Sequence, residues 1–263
     1  MTAVSADGTL VRAFDDGNGP AILVIHPGLD DGRSWAKVAA RLSGRFRVIR
    51  VVRRHYRLDL PPAAYSIDRE VEDVLAVAAA IGPPVLLVGH SSGAVVALEA
   101  MARAPTAFAG AVLFEPPVAT GPPDPSGAAA IARANAAVAD GKPGKAGQIF
   151  VRDIVGMPAT AALLLRAIMI VTPRLRALVP RQVTDLDGVG IRLDAYSTIS
   201  TPAVLLGAER SPAHLARSLD ALAAVMPNAE KMVLARCDHL AHQKAPGEVA
   251  GVIQALAGKV IPG

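Results

Sequence analysis

The chain is poor in aromatic residues, carries a single cysteine and has no long apolar run. Phe, Trp and Tyr make up 3% of the 263 residues, so a core has to be built from Ala, Val, Leu and Ile. Cys237 stands alone, which excludes an intrachain disulfide and fits a reducing compartment; a cytoplasmic location is expected. Residues 1–7 lack a basic segment followed by an apolar stretch, so no signal peptide is expected. The most apolar stretch, residues 161–171, contains Arg166 and is shorter than the roughly 20 residues of a membrane span. No His/Cys/Asp group has metal-ligand spacing and no Gly-rich phosphate loop occurs, so neither metal nor cofactor is expected. Charge of one sign does not dominate either: 27 Lys and Arg face 23 Asp and Glu. The densest basic run, Arg53-Arg54-His55-Tyr56-Arg57, directly follows a predicted strand and reads as a loop held by ion pairs and packing rather than a nucleic-acid surface, with contact of His55, Tyr56 or an Arg to substrate as the alternative.

What is present is an alternation. Short apolar runs occupy residues 21–25 (AILVI), 46–52 (FRVIRVV), 85–88 (VLLV), 111–114 (AVLF), 203–206 (AVLL) and 231–235 (KMVLA). Such runs predict strands buried on both faces of a parallel sheet. Residues 9–14 predict an antiparallel edge strand. Helical patterns lie between them at 68–80, after the N-cap candidate Ser66, and at 92–103, 212–225 and 247–256. Strand–helix alternation predicts an α/β architecture with a mostly parallel central sheet flanked by helices. Residues 118–200 break the pattern, with helical stretches at 127–139, 145–154, 159–170 and 173–178 and no buried strand. That is too long for a simple crossover and predicts a helical insertion. The expected division is a core of 1–117 and 201–263 and a helical cap of 118–200, with Gly/Pro-rich hinges at 120–127 and 141–144.

The chemistry-bearing motif is Gly89-His90-Ser91-Ser92-Gly93, a G-x-S-x-G pattern between a predicted strand and an Ala-rich helix. A tight turn there lifts the Ser91 hydroxyl to the carboxyl end of the sheet, beside a helix N-terminus that favours a developing oxyanion. A serine hydroxyl needs a base. Of the six histidines, His239 follows the last predicted strand and precedes the final helix, where a loop can return it to Ser91. His242 is its competitor; His90 lies inside the turn and is expected to point away; His26 is expected to brace its loop.

These residues resemble the α/β-hydrolase superfamily, in particular its small cap-bearing members. The resemblance covers nearly the whole chain. It rests on His26-Pro27-Gly28, Gly89-His90-Ser91-Ser92-Gly93, Glu115-Pro116-Pro117, and Asp238-His239 with Pro246 seven residues on. It implies Ser91 as nucleophile and His239 as base, in the order Ser…acid…His, and an oxyanion hole from the N–H groups of Ser92 and of Gly28 or Leu29. Pro27, standing where the family often has Gly, has no N–H to give. The acid departs from the family pattern. Where relatives carry Asp after the penultimate strand, this chain has Arg210. Glu209 is one residue early, and Glu115 ends the strand after the nucleophile helix. Glu115 ranks first because it terminates an apolar run and is fixed by two prolines.

The function implied is hydrolysis of an ester or related acyl bond of a small substrate through an acyl-enzyme. The substrate is expected to be apolar, from Leu163, Leu164, Leu165 and Met169 in the insertion. Three alternatives stand beside it: a C–C bond or lactone hydrolase on the same triad, a non-hydrolytic member such as a cofactor-free oxygenase or haloperoxidase, and a catalytically silent ligand binder. The expected partner is a small molecule, with no nucleic acid and no membrane; a homodimer is allowed.

Overall fold

The apolar runs become the middle of an eight-stranded sheet in the order β1-β2-β4-β3-β5-β6-β7-β8. The computed structural model describes residues 1–61, 63–118, 120–121, 125–185 and 193–261. The strands are β1 (Thr2–Val4), β2 (Leu10–Asp16), β3 (Ala21–Ile25), β4 (Arg47–Val52), β5 (Val85–His90), β6 (Gly110–Phe114), β7 (Ala203–Ala208) and β8 (Ala229–Leu234). β1 pairs antiparallel with β2 and β2 with β4; every pairing from β4 to β8 is parallel. Strands β3, β5 and β6 lie inside the sheet and are buried throughout, β5 ending in Gly89 and His90.

Burial on two faces explains the lack of alternation in these runs. Leu23, Ile25, Leu87, Leu113 and Leu205 pack against α2 (Ile67–Ile81), α3 (Ser92–Arg103) and α9 (Ala213–Val225). Ile22, Val24, Leu86, Val88, Phe114 and Leu206 pack on the other side with α1 (Ala36–Leu42), the short α10 (Ala241–Lys244) and α11 (Pro246–Val260). Each such side chain contributes about 1.5–3 kcal/mol by leaving water. Ser66 caps α2 by accepting from the Arg69 N–H, with Asp68 and Glu70 in the first turn, where the helix dipole favours them. Helix α1, which the sequence reading leaves unassigned, buries Val38, Ala39 and Leu42 beside Trp35.

Between β6 and β7 run α4 (Pro125–Ala139), α5 (Pro143–Ile149), a π-helical turn (Phe150–Ile154), α6 (Ala159–Val171), α7 (Pro173–Asp185) and α8 (Leu193–Tyr196). They hold a small core of their own, including Ala134, Ala146, Ile149, Met169, Val179 and Val183. Residues 122–124 of the expected 120–127 hinge lie outside the described residues. One difference bears on the site. The predicted helix 173–178 stops short of Pro180, yet α7 continues through this proline to Asp185. Proline removes one helical hydrogen bond, but Val179 and Val183 are fully buried against the insertion's core, and that packing outweighs the local penalty. No helix among the described residues is long and apolar enough to cross a membrane.

Candidate active site

Ser91 sits on the turn between β5 and α3 with φ 54° and ψ −127°. Few non-glycine residues adopt this conformation, and it is held here from both sides. The Ser91 N–H donates to the Phe114 carbonyl at 2.9 Å, and the Ser91 carbonyl accepts from Ala94 N–H at 2.8 Å. The following helix enters so close to β3 that a Cβ on Gly93 would stand 2.3 Å from the His26 carbonyl oxygen and 2.5 Å from that of Ile25. Glycine at 93 is therefore a steric requirement. Ser92 opens α3, so its backbone N–H is one of the donors a helix start leaves without an intrahelical partner.

Glu115 follows β6, the neighbour of β5; the register sets His90 opposite Phe114, so Ser91 and Glu115 leave adjacent strands side by side. The Glu115 carboxylate is 1% exposed. Its Oε1 accepts from Ala208 N–H at 2.9 Å, and its Oε2 accepts from Ser211 Oγ at 2.9 Å. The same Oε2 lies 2.6 Å from Nδ1 of His239, which arrives on the loop after β8. The structure thus joins His239 to Glu115.

Glu209 does something else. Its Oε2 accepts from the Arg236 N–H at 2.5 Å, while Arg210, at the family's Asp position, donates its backbone N–H to the Cys237 carbonyl at 2.8 Å. Both brace the loop that carries His239. Asp238, which replaces the family's Gly, accepts from Leu240 N–H at 2.9 Å and stiffens the same loop.

His90 does not point away, as expected from the sequence. Its buried ring stacks on Phe114 at 4.5 Å between centroids and lies 4.7 Å from the ring of His239 and 4.6 Å from that of His242. Burial and the two neighbouring imidazoles hold it well below the usual histidine range, so it stays neutral. His242 stacks on Trp35 at 5.4 Å, and its Nε2 is 3.1 Å from Ser34 Oγ, which donates to Asp30 Oδ2 at 2.7 Å. Burial pushes His242 down to about 4, too low for an effective base near neutral pH. Its ring meets Trp35, Ser34 and His90, while Glu115 pairs with His239.

His26 braces its loop. Its Nδ1–H donates to the Pro27 carbonyl at 2.7 Å, and its Nε2 accepts the Arg53 N–H at 3.2 Å. Gly28 follows, then Leu29 with φ 53°. Gly28 is covered by the insertion: a Cβ there would stand 1.6 Å from Gln182 Oε1 and 2.9 Å from the Tyr56 hydroxyl. Gln182 escaped the sequence reading, because the predicted helix stopped before it. The available signal was the apolar spacing Leu175, Leu178, Val179, Val183, which carries α7 past Pro180. The Arg53–Asp59 segment is tied by ion pairs, as expected: Arg53 to Glu70 and Arg57 to Asp59. Cys237 is a packed thiol that burial pushes up. The apolar residues named for the insertion differ in exposure, and Leu165 packs partly buried against its small core. Leu163 and Leu164 are 55% and 62% exposed, and Met169 packs inside the insertion's own core.

A serine in a strained conformation at a strand-to-helix turn, an imidazole anchored to a carboxylate that leaves the neighbouring strand, and a two-sided parallel sheet define a class. The alpha/beta hydrolase family profile matches residues 22–252, and the chain belongs to this family of enzymes. An alpha/beta hydrolase from Sphaerobacter thermophilus superposes with a TM-score of 0.80 at 28% identity, over 97% of this chain and 100% of that one. A thermophilic esterase from Thermogutta terrifontis superposes with a TM-score of 0.76 at 18% identity, over 100% and 99%. A pimeloyl-[acyl-carrier protein] methyl ester esterase from Methylococcus capsulatus is 39% identical over 102 residues, which span 37% of this chain and 37% of that protein.

Proposed function

We propose that the chain is a serine esterase that cleaves a small carboxylic ester through an acyl-enzyme. Ser91 Oγ attacks the carbonyl carbon, and Nε2 of His239 takes the hydroxyl proton. Glu115 holds Nδ1–H, fixes the tautomer and stabilises the imidazolium. The N–H groups of Ser92 and Gly28 receive the oxyanion, each worth about 10²–10³ in rate. His239 then protonates the departing alcohol. A water, deprotonated by the same imidazole, releases the acid and restores Ser91.

The observation that carries this reading is the 2.6 Å contact of His239 Nδ1 with a carboxylate one strand away from a serine at φ 54°. The esterase relatives favour ester cleavage over the C–C, lactone and oxidative alternatives. The single buried Cys237 favours a reducing, cytoplasmic setting. A fluorophosphonate probe tests the reading. Wild-type protein is expected to be labelled at one site and to hydrolyse nitrophenyl esters without oxygen or peroxide. Ser91→Ala is expected to lose both activities; labelling that survives this change would sink the proposal.

A further inference from the structure

One strong charge beneath the turn is unused by this chemistry. The Arg53 side chain is 1% exposed. Its Nε donates to Glu70 Oε2 at 2.6 Å, and its Nη1 donates to Ser92 Oγ at 2.8 Å and to the His26 carbonyl at 3.4 Å. Its backbone N–H donates to His26 Nε2 at 3.2 Å, and its guanidinium lies 4.9 Å from the Tyr56 ring centroid. Nη2 is 3.6 Å from Oδ2 of Asp185, at the end of α7 in the insertion.

Each proposed oxyanion donor is covalently close to an atom that Arg53 holds. Ser92 carries one N–H itself, and the His26 carbonyl precedes Gly28 by two residues. The insertion closes the arrangement from above. The Tyr56 hydroxyl donates to Asp185 Oδ2 at 2.6 Å and lies 3.0 Å from Gln182 Oε1, the atom that covers Gly28. Arg181 Nη1 donates to the His55 carbonyl at 2.9 Å, and His55 Nε2 lies 2.6 Å from the Arg181 carbonyl, so α7 is seated by polar bonds.

We infer that Arg53 is a positioning residue for the oxyanion hole, tying the Ser91–Ser92 turn to the His26–Gly28 loop, and that Asp185 and Tyr56 complete its seat from the insertion side. The inference rests on the esterase reading and adds a residue to it. Only a planar fork with five donors ties three elements at once; an ammonium is a point charge without that geometry. A buried guanidinium offers no general stability advantage over an apolar side chain of its size, so its contribution here is register. Burial raises the Glu70 carboxyl above its ordinary range, and Arg53 opposes that rise.

The test uses full-length Asp185→Asn, Tyr56→Phe and Arg53→Ala on nitrophenyl acetate, with far-ultraviolet circular dichroism reporting the folded fraction. The first two are expected to lower kcat between about tenfold and a hundredfold, the loss that follows displacement of reacting groups by up to 1 Å. KM should stay within about threefold, because ground-state contacts are kept. Ser91 remains open to the phosphonate probe, at a slower rate. Arg53→Ala is expected to lose more and to be partly rescued by millimolar guanidinium, but not by ammonium. An active wild type with unchanged kcat in Asp185→Asn and Tyr56→Phe overturns the inference. So does a fall in kcat that merely tracks loss of folded protein without guanidinium rescue. A wild type inert toward both ester and phosphonate overturns the esterase reading itself.

Discussion

Replacing Glu115 by Gln is the sharpest probe of the site, because the protein dictates how the new amide must turn. Ala208 N–H donates to Oε1 at 2.9 Å and is buried, so the amide oxygen has to stay there. The NH2 group then occupies the place of Oε2, facing Ser211 and Nδ1 of His239. The serine hydroxyl can accept from it. Nδ1 can accept too, but only as the tautomer with its proton on Nε2, and that nitrogen can no longer take a proton from Ser91. A wrong tautomer in such a triad lowers kcat by about 10⁴, or about 5.5 kcal/mol of barrier. Glu115→Gln is therefore expected to lose about 10³–10⁴ in kcat on nitrophenyl acetate, with a smaller change in KM. Glu209→Gln, whose carboxylate meets only the Arg236 N–H in this loop, is expected to stay within about threefold. Steady-state kinetics of both, with phosphonate labelling rates alongside, decides the matter. A larger loss in Glu209→Gln, or Glu115→Gln above half the wild-type rate, would refute the assignment.

Other outcomes follow from the same geometry. Ser91→Gly should abolish activity yet stabilise the fold by about 1 kcal/mol, since the turn's conformation costs about 1–3 kcal/mol in a residue with a side chain. Calorimetry should show a Tm rise of about 2–4 °C; a lower Tm would mean the turn is not strained. Gly93→Ala puts its methyl against two backbone carbonyls at 2.3 and 2.5 Å, where no rotamer gives relief. A loss of about 3 kcal/mol or more is expected, and unchanged urea unfolding would contradict the packing. His242 is pushed from 6.5 down to about 4, so the unfolded chain binds its proton first. Stability from this group is complete above pH 6.5 and falls by roughly 3 kcal/mol as pH drops toward 4. His242→Phe should flatten that part of the curve in urea titrations at several pH values; parallel curves would refute it.

The sheet was legible because burial on both faces writes itself as unbroken apolar runs, and AILVI and VLLV say so directly. The strand-to-helix turn at Ser91 was legible because its tightness demands Gly93. Glu115 was legible because it ends such a run before two prolines. The polar seat of α7 was not, since Pro180 reads as a stop and only the packing of Val179 and Val183 overrides it. Nor could the sequence tell that Glu209 would bond a backbone N–H: that depends on how a loop 27 residues downstream folds back. The location of His90 beside two other imidazoles likewise arises from chain segments that no local pattern connects.

Two of the three members of the proposed triad leave neighbouring strands in register, so their separation is governed by the interstrand repeat of about 4.8 Å, among the stiffest distances a protein offers. The imidazole alone rides on a connecting segment, held by Glu209, Arg210 and Asp238. Heat that loosens that segment would silence the enzyme while its sheet still stands. Efforts to keep it working at higher temperature belong on those few tethers, and not in the hydrophobic interior.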